Sequence, residues 1–150
     1  ADALAKAVNA AEAAAGKRTI KIILMNTTAC INKLQGEKRI GKERIVMSVL
    51  RKLLPPQRDN ELALEFLLDK TGTGNKHIEW AAVRPDGLVD EDEVSEYTVH
   101  PSQVRSPIFD PGKTSRINVA DFMVRLLKEK KLWEEWKFKT PVIYNRETAE

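Results

Sequence analysis

The stretch Thr19-Ile20-Lys21-Ile22-Ile23-Leu24-Met25, followed by Asn26-Thr27-Thr28, decides how the rest of the chain is read. It is short, rich in β-branched residues and almost unbroken in its apolar character, which suits a strand covered on both faces. A strand of that kind belongs to a parallel sheet flanked by helices. Upstream, residues 1–15 are crowded with alanine, the strongest helix former, and Gly16 stands where a C-terminal cap belongs. Downstream, Ile45, Val46, Val49, Leu50, Leu53 and Leu54 form one stripe of an amphipathic helix over 42–54, which Pro55-Pro56 is expected to stop. Asp59 is placed to cap a second helix whose inward face is Leu62, Ala63, Phe66 and Leu67. Residues 71–75 (TGTGN) then make a turn, and Ile78–Val83 reads as a second strand, stopped by Arg84 and Pro85.

The C-terminal part is less regular at first. Residues 86–112 carry an acidic run, Asp90 to Glu93, and extended pieces around 97–100 and 108–109. The run reads as a solvated loop face, because its Asp-x-Asp spacing lacks the glycine and terminal Glu of an EF-hand calcium loop. Asn118 is placed as an N-cap for a helix turning Val119, Phe122, Met123, Leu126 and Leu127 inward, with lysines at its electronegative end. Leu132, Trp133 and Trp136 continue in a short helical piece, and Pro141–Tyr144 makes a last strand.

Composition bounds the function. The 150 residues are 42% hydrophobic and 31% charged, one soluble domain's worth of chain with enough apolar content for a core. Twenty-five basic against 22 acidic residues leave +3, a small surplus and not a basic stripe for phosphate backbones. The segment from Lys128 to Lys139, with Trp133, Trp136 and Phe138 interleaved, imitates a nucleic-acid platform, but tryptophans at helical spacing read first as packing residues. Cys30 is the only cysteine and His77 and His100 the only histidines, so metal catalysis is not expected and the chain reads as reduced and intracellular. No apolar run approaches the roughly 20 residues of a membrane span. Asn26-Thr27-Thr28 matches a glycosylation sequon but directly follows a buried strand, and is discounted.

Strands alternating with amphipathic helices give an α/β layered fold with a mostly parallel sheet. Only three good core strands are found, too few to shield their helices, and the apolar strand 19–25 would leave an edge open to aggregation. The expectation is that the chain is the C-terminal half of a doubly wound sheet, completed along strand 19–25 by a missing N-terminal half or by a partner subunit.

The order of segments resembles the C-terminal half of atypical short-chain dehydrogenase/reductases, in the NAD(P)-binding, NmrA-like and biliverdin/flavin-reductase-like branch. The residues that carry it are the strand running into Met25-Asn26-Thr27, then Pro55-Pro56 and Asp59-Asn60-Glu61-Leu62-Ala63, then Glu79 to Leu88 (EWAAVRPDGL), Thr114 to Met123 (TSRINVADFM) and Pro141 to Asn145 (PVIYN). The resemblance runs from about residue 3 to 145 and implies a Rossmann-like fold over a single domain, residues 1–150, with NAD or NADP as cofactor. It carries a catalytic role onto Thr27, whose hydroxyl would hydrogen-bond a substrate carbonyl while hydride arrives from the cofactor, with Met25 and Asn26 lining the nicotinamide. Arg84 and Pro85 fall where the family's chain wraps the nicotinamide end, and Gly87 permits close backbone approach. The family's Tyr-x-x-x-Lys aligns with Gln57 and Glu61, so Glu61 would accept ribose hydroxyls with reversed charge. The glycine-rich turn that seats a pyrophosphate follows no strand here, so the resemblance covers a fold lacking its Gly-rich N-terminal half. Two functions follow: an NAD(P)-linked oxidoreductase once completed by that half, or a non-catalytic Rossmann-like subunit docked in a larger assembly.

Overall fold

The computed structural model describes residues 1–39 and 41–146. It divides into two compact units, one built from residues 1–22 and 29–80, the other from 23–28 and the chain from Ala81 onward.

The first unit holds helix α1 (Asp2–Ala15), the opening half of strand β1 (Ile20–Met25), helices α2 (Gly41–Leu53) and α3 (Pro55–Glu65), and the start of strand β2 (Ile78–Pro85). Between β1 and α2 a single 3-10 turn, Lys33–Gln35, is capped by Asn32, whose side chain accepts from the Leu34 and Gln35 amides at 3.0 and 3.2 Å. Its core includes Met47, Ala63, Leu64, Leu67, Ile78 and Trp80, and the Trp80 indole donates to the Gly72 carbonyl at 2.8 Å.

Three expectations fail in this unit. Pro55 and Pro56 do not hold the second helix back to Asp59; α3 begins at Pro55. A proline in the first helical turn loses no hydrogen bond, since the first amides have no partner within the helix. The α2 periodicity is right but its direction is not. Met47 is the buried residue of α2, whereas Ile45, Val49 and Leu53 are 68%, 50% and 70% exposed. Periodicity identifies one face of a helix and is silent on what lies opposite it. Leu62, expected inward, is likewise exposed, and Leu64 takes its place in the core.

The second unit carries the four-stranded sheet in the order β1-β2-β6-β4, with β4 at Tyr97–His100 and β6 at Val142–Asn145. β2 and β6 run parallel, Arg84 opposite Val142 and Pro85 opposite Ile143, while β4 is antiparallel to β6. The bonds from Asn26 N to Val83 O (2.7 Å) and from Thr28 N to Pro85 O (3.1 Å) advance the same way along both chains, as parallel pairing requires. β2 is buried along almost its whole length, and it continues through Arg84 and Pro85 instead of stopping before them. β1, at the end of the sheet, is only partly covered, with Met25 50% exposed. A separate parallel pair, β3 (Gly87–Val89) and β5 (Lys113–Ser115), was not expected. Residues 108–109 form a turn on Ser106, whose hydroxyl accepts from the Phe109 amide at 3.0 Å, and not an extended piece.

Helices α4 (Arg116–Lys128) and α5 (Lys130–Trp136) pack Val119, Phe122, Leu126, Trp133 and Trp136 onto Ala81, Val83 and Ile143. The rings of Phe122 and Trp136 meet edge to face at 6.5 Å. Aromatic side chains of this size bury enough area for about 4–6 kcal/mol each before entropy is counted, so this cluster dominates the unit's stability. The α4 cap is Ser115, whose side chain accepts from the Asn118 amide at 3.2 Å. Asn118, expected at that position, is instead fully buried and holds Ser95 and Asn145 with its amide group. Among the described residues no helix is long and apolar enough to cross a membrane.

Candidate functional site

In open parallel sheets the ligand-facing rim lies outside the carboxyl ends of the strands, where loops leave the sheet and side chains can converge. The second unit holds three such ends: Met25, which closes β1, with Asn26-Thr27-Thr28 after it; Arg84-Pro85, which close β2, with Asp86 after them; and the end of β6.

The rim is organised by Asp86. Its Oδ1 accepts from the Thr28 hydroxyl at 2.9 Å and its Oδ2 from the Gly112 amide at 2.9 Å. The Asp86 amide donates to the Thr114 hydroxyl oxygen at 3.3 Å, and that hydroxyl donates to the Ile143 carbonyl at 2.7 Å. One carboxylate therefore ties the ends of β1 and β2 and the loop before β5. Thr28 and Thr114 are 1% and 0% exposed, so this network is interior and its donors have no water to fall back on. Tyr144 packs on Gly112 so tightly that a Cβ there would stand 2.3 Å from its ring. Burial, with Asp86 nearby, pushes the Tyr144 phenol pKa up.

The residues singled out in the sequence occupy distinct places in this frame. Asn26 is 6% exposed and turns its Oδ1 onto the Thr27 amide at 2.8 Å, which fixes the bend after β1. Thr27, half-buried, sits between two anchored neighbours, while Met25 offers an exposed thioether beside it. Arg84 is fully buried; its Nε donates to the Thr140 carbonyl at 2.9 Å and its amide to the Pro141 carbonyl at 2.8 Å, binding β2 to the segment that enters β6. Pro85 ends β2 in register with Ile143. Gly87 makes its close approach to the backbone: its amide donates to the Gly112 carbonyl at 3.0 Å, and a Cβ would meet that same oxygen at 3.0 Å. Glu61 belongs to the first unit, on α3, where Arg51 Nε lies 2.6 Å from one of its oxygens and Gln57 donates to the other at 3.2 Å.

Sequence reasoning missed Thr28, Asp86, Gly112 and Thr114. Asp86 directly follows the Arg-Pro strand end, but nothing local pairs it with a hydroxyl 58 residues away. Chemically, the rim offers a preorganised bend presenting Thr27 and Met25, underpinned by buried polar groups whose positions are over-determined. Among the described residues no group of three or more His, Cys, Asp or Glu side chains is placed to hold a metal ion.

Comparison with known proteins agrees with this architecture. No curated protein matches the chain in sequence. Among solved structures, a short-chain dehydrogenase/reductase of Veillonella parvula in complex with NADP aligns at a TM-score of 0.56 and 15% identity, over 85% of this chain and 52% of its own. A protein described as an NAD-dependent epimerase/dehydratase, from Bacillus halodurans, aligns at 0.54 and 18% identity over 85% and 47%. An oxidoreductase of Lactococcus lactis gives 0.50 and 19% identity over the same shares. The chain spans about half the length of these structures. At such identities the likeness establishes a Rossmann-like α/β fold. Residues 1–130 match the family described as NAD(P)H-binding, which is most of the sequence. The chain therefore belongs to the NAD(P)H-binding family, with the fold of short-chain dehydrogenase/reductase-like oxidoreductases.

Proposed function

We propose that this chain forms the nicotinamide-end half of an NAD(P)-dependent oxidoreductase of the atypical short-chain kind, completed by a glycine-rich nucleotide-binding half that pairs along β1. The observation that carries the reading is the rim at the strand ends, where Asp86 locks Thr28 and thereby the bend presenting Thr27. The bound cofactor would supply hydride. This chain's part is to orient: the Thr27 hydroxyl can donate to a substrate carbonyl oxygen, and Met25 can cover an aromatic face. Asn26 and the Pro85 carbonyl, which accept from the Thr27 and Thr28 amides, hold that bend, while Arg84 ties β2 to the Thr140 carbonyl and Gly87 lets its backbone approach Gly112. The nicotinamide end fits these residues. The pyrophosphate end does not, since no G-x-G-x-x-G turn follows any strand of the sequence.

Titration calorimetry with NADPH tests both parts. The 150 residues alone should bind with a Kd above about 100 μM, because the phosphate seat supplies much of the affinity. Micromolar binding would overturn the claim that half of the cradle lies elsewhere. Amide shifts on adding NADPH at millimolar concentration should centre on 25–28, and shifts confined to other segments would remove the site assignment. The alternative, a non-catalytic subunit, is favoured by Glu61 standing in the position of the family's lysine, and it predicts no such shifts.

A further inference from the structure

The outward side of α2 combines an apolar row with a concentration of positive charge. Ile45, Val49 and Leu53 recur every fourth residue and all stand in solvent, with Leu54 exposed just after them. The row one residue back, Arg44, Ser48 and Lys52, runs along their flank and is exposed as well. Residues 41–58 hold five basic side chains against one acidic, +4 in a chain whose net charge is +3. Ser48, Arg51, Lys52, Pro55 and Arg58 border an open depression of about 540 Å³ with no acidic residue in its lining.

Folding explains neither half of this pattern. The apolar row adds nothing to the core, whose only α2 member is Met47. Arg51 and Lys52 suit the electronegative end of the helix, but Lys42 and Arg44 stand in its first turn, where a cation opposes the dipole. Arg51 is neutralised by Glu61, 2.6 Å from its Nε, and Glu43, the one carboxylate of α2, lies 4.0 Å from Arg39 with its side chain 15% exposed. Among the described residues no carboxylate pairs with Lys42, Arg44, Lys52 or Arg58 within 4.0 Å. An apolar row bordered by cations is complementary to an anionic surface with an apolar layer beneath it. A second copy of the chain is not: with no exposed carboxylate on this face of α2, a two-fold dimer would set cation on cation in either direction. A bilayer needs no matching groove, and lysine stems lie along its apolar boundary while their ammonium groups reach the phosphates.

We propose that α2 docks this chain on a bilayer surface rich in acidic phospholipid, with Ile45, Val49 and Leu53 in the headgroup boundary and Lys42, Lys52 and Arg58 on the phosphates. The face belongs to the first unit and not to the rim, so the claim stands or falls without the nucleotide reading. Flotation of the 150-residue chain with lipid vesicles tests it. Vesicles of phosphatidylcholine with roughly 30% phosphatidylglycerol should bind it at least tenfold more tightly than phosphatidylcholine alone, since each surface cation contributes on the order of fivefold. Raising NaCl from about 0.1 to 1 M, which shortens the screening length from about 10 to 3 Å, should remove most of that preference. Ile45→Ser with Leu53→Ser, at positions too exposed to threaten folding, should weaken binding about tenfold or more. Lys42→Gln with Lys52→Gln should bring the two vesicle types closer together. Leu127→Ser, an exposed apolar position on α4, should float like the parent. The proposal is overturned if the chain does not float with the acidic vesicles, which would point to an acidic protein groove as the occupant, or if phosphatidylcholine alone binds as well. It is equally overturned if the serine pair floats like the parent, if Leu127→Ser weakens binding as much as that pair, or if sedimentation shows a dimer that the pair dissolves, since the face then belongs to a second copy.

Discussion

Replacing Asp86 should cost more than any other single polar change in the second unit. Its carboxylate accepts from the Thr28 hydroxyl and the Gly112 amide, each at 2.9 Å, in an interior where Thr28 is 1% exposed. Hydrogen bonds to a charged acceptor contribute about 1.5–3 kcal/mol each, and removal strands two buried donors, so Asp86→Ala should destabilise by about 3–5 kcal/mol. Asp86→Asn can keep its oxygen on the Gly112 amide and donate its NH₂ to the Thr28 hydroxyl oxygen, which accepts as well as donates, so it gives up the charge assistance alone, a loss of about 1 kcal/mol. Thr28→Val removes one donor with little change of shape and should cost about 1 kcal/mol. In the double variant Thr28→Val/Asp86→Ala the costs should fall short of additive by about 1 kcal/mol, since both remove the same bond. Native-state hydrogen exchange at Val83, Ile143 and Gly112 is the suitable assay, because it reports the second unit itself where a global melt would mix two units. If Asp86→Ala stays within about 0.5 kcal/mol of the parent protein, or if the two changes add, Asp86 is not the tie described.

Three further outcomes follow from the same structure. Trp133→Ala, at a position 1% exposed in the aromatic cluster, should lose about 3–5 kcal/mol by urea unfolding. Ser115→Ala removes the α4 cap and should lower stability by about 1 kcal/mol while faster exchange is confined to the first turn of that helix. Burial, and then the hydrogen bond to Asp121 at 2.6 Å, raises the Tyr97 pKa above its ordinary value near 10, and burial does the same for Tyr144. A raised folded-state pKa leaves their contribution intact below pH 10 and removes it as pH climbs through the folded values, so thermal stability should fall above about pH 10. Tyr97→Phe should flatten that fall, and an unchanged profile would contradict the assignment.

Much of the architecture was legible because it depends on local chemistry. Alanine density gives α1, a β-branched run gives β1, a short apolar run between a turn and Arg84-Pro85 gives β2, and helical spacing gives α2 and α4, whatever surrounds them. The ordered segments around Val83-Arg84-Pro85 and Ser115 to Met123 carried the family, and the match over residues 1–130 agrees. What escaped was direction and pairing. Ile45, Val49 and Leu53 form a genuine stripe, yet it faces solvent, because the sheet and helices that choose a buried side are not encoded in the stripe's own spacing. Asn118 has a cap-forming side chain, but a buried contact with Ser95 and Asn145 outcompeted the helix terminus, and Ser115 took that place.

By itself, then, the order of residues determined the kinds of element, their sequence and the NAD(P)H-binding family, since these rest on propensity, periodicity and short-range motif. Only the tertiary structure decided which polar groups hold the rim. Asp86 meets Thr28 across 58 residues, and Arg84 reaches the Thr140 carbonyl across 56. Such bonds exist because parallel strands bring distant chain segments side by side and leave their buried donors and acceptors no partner but each other.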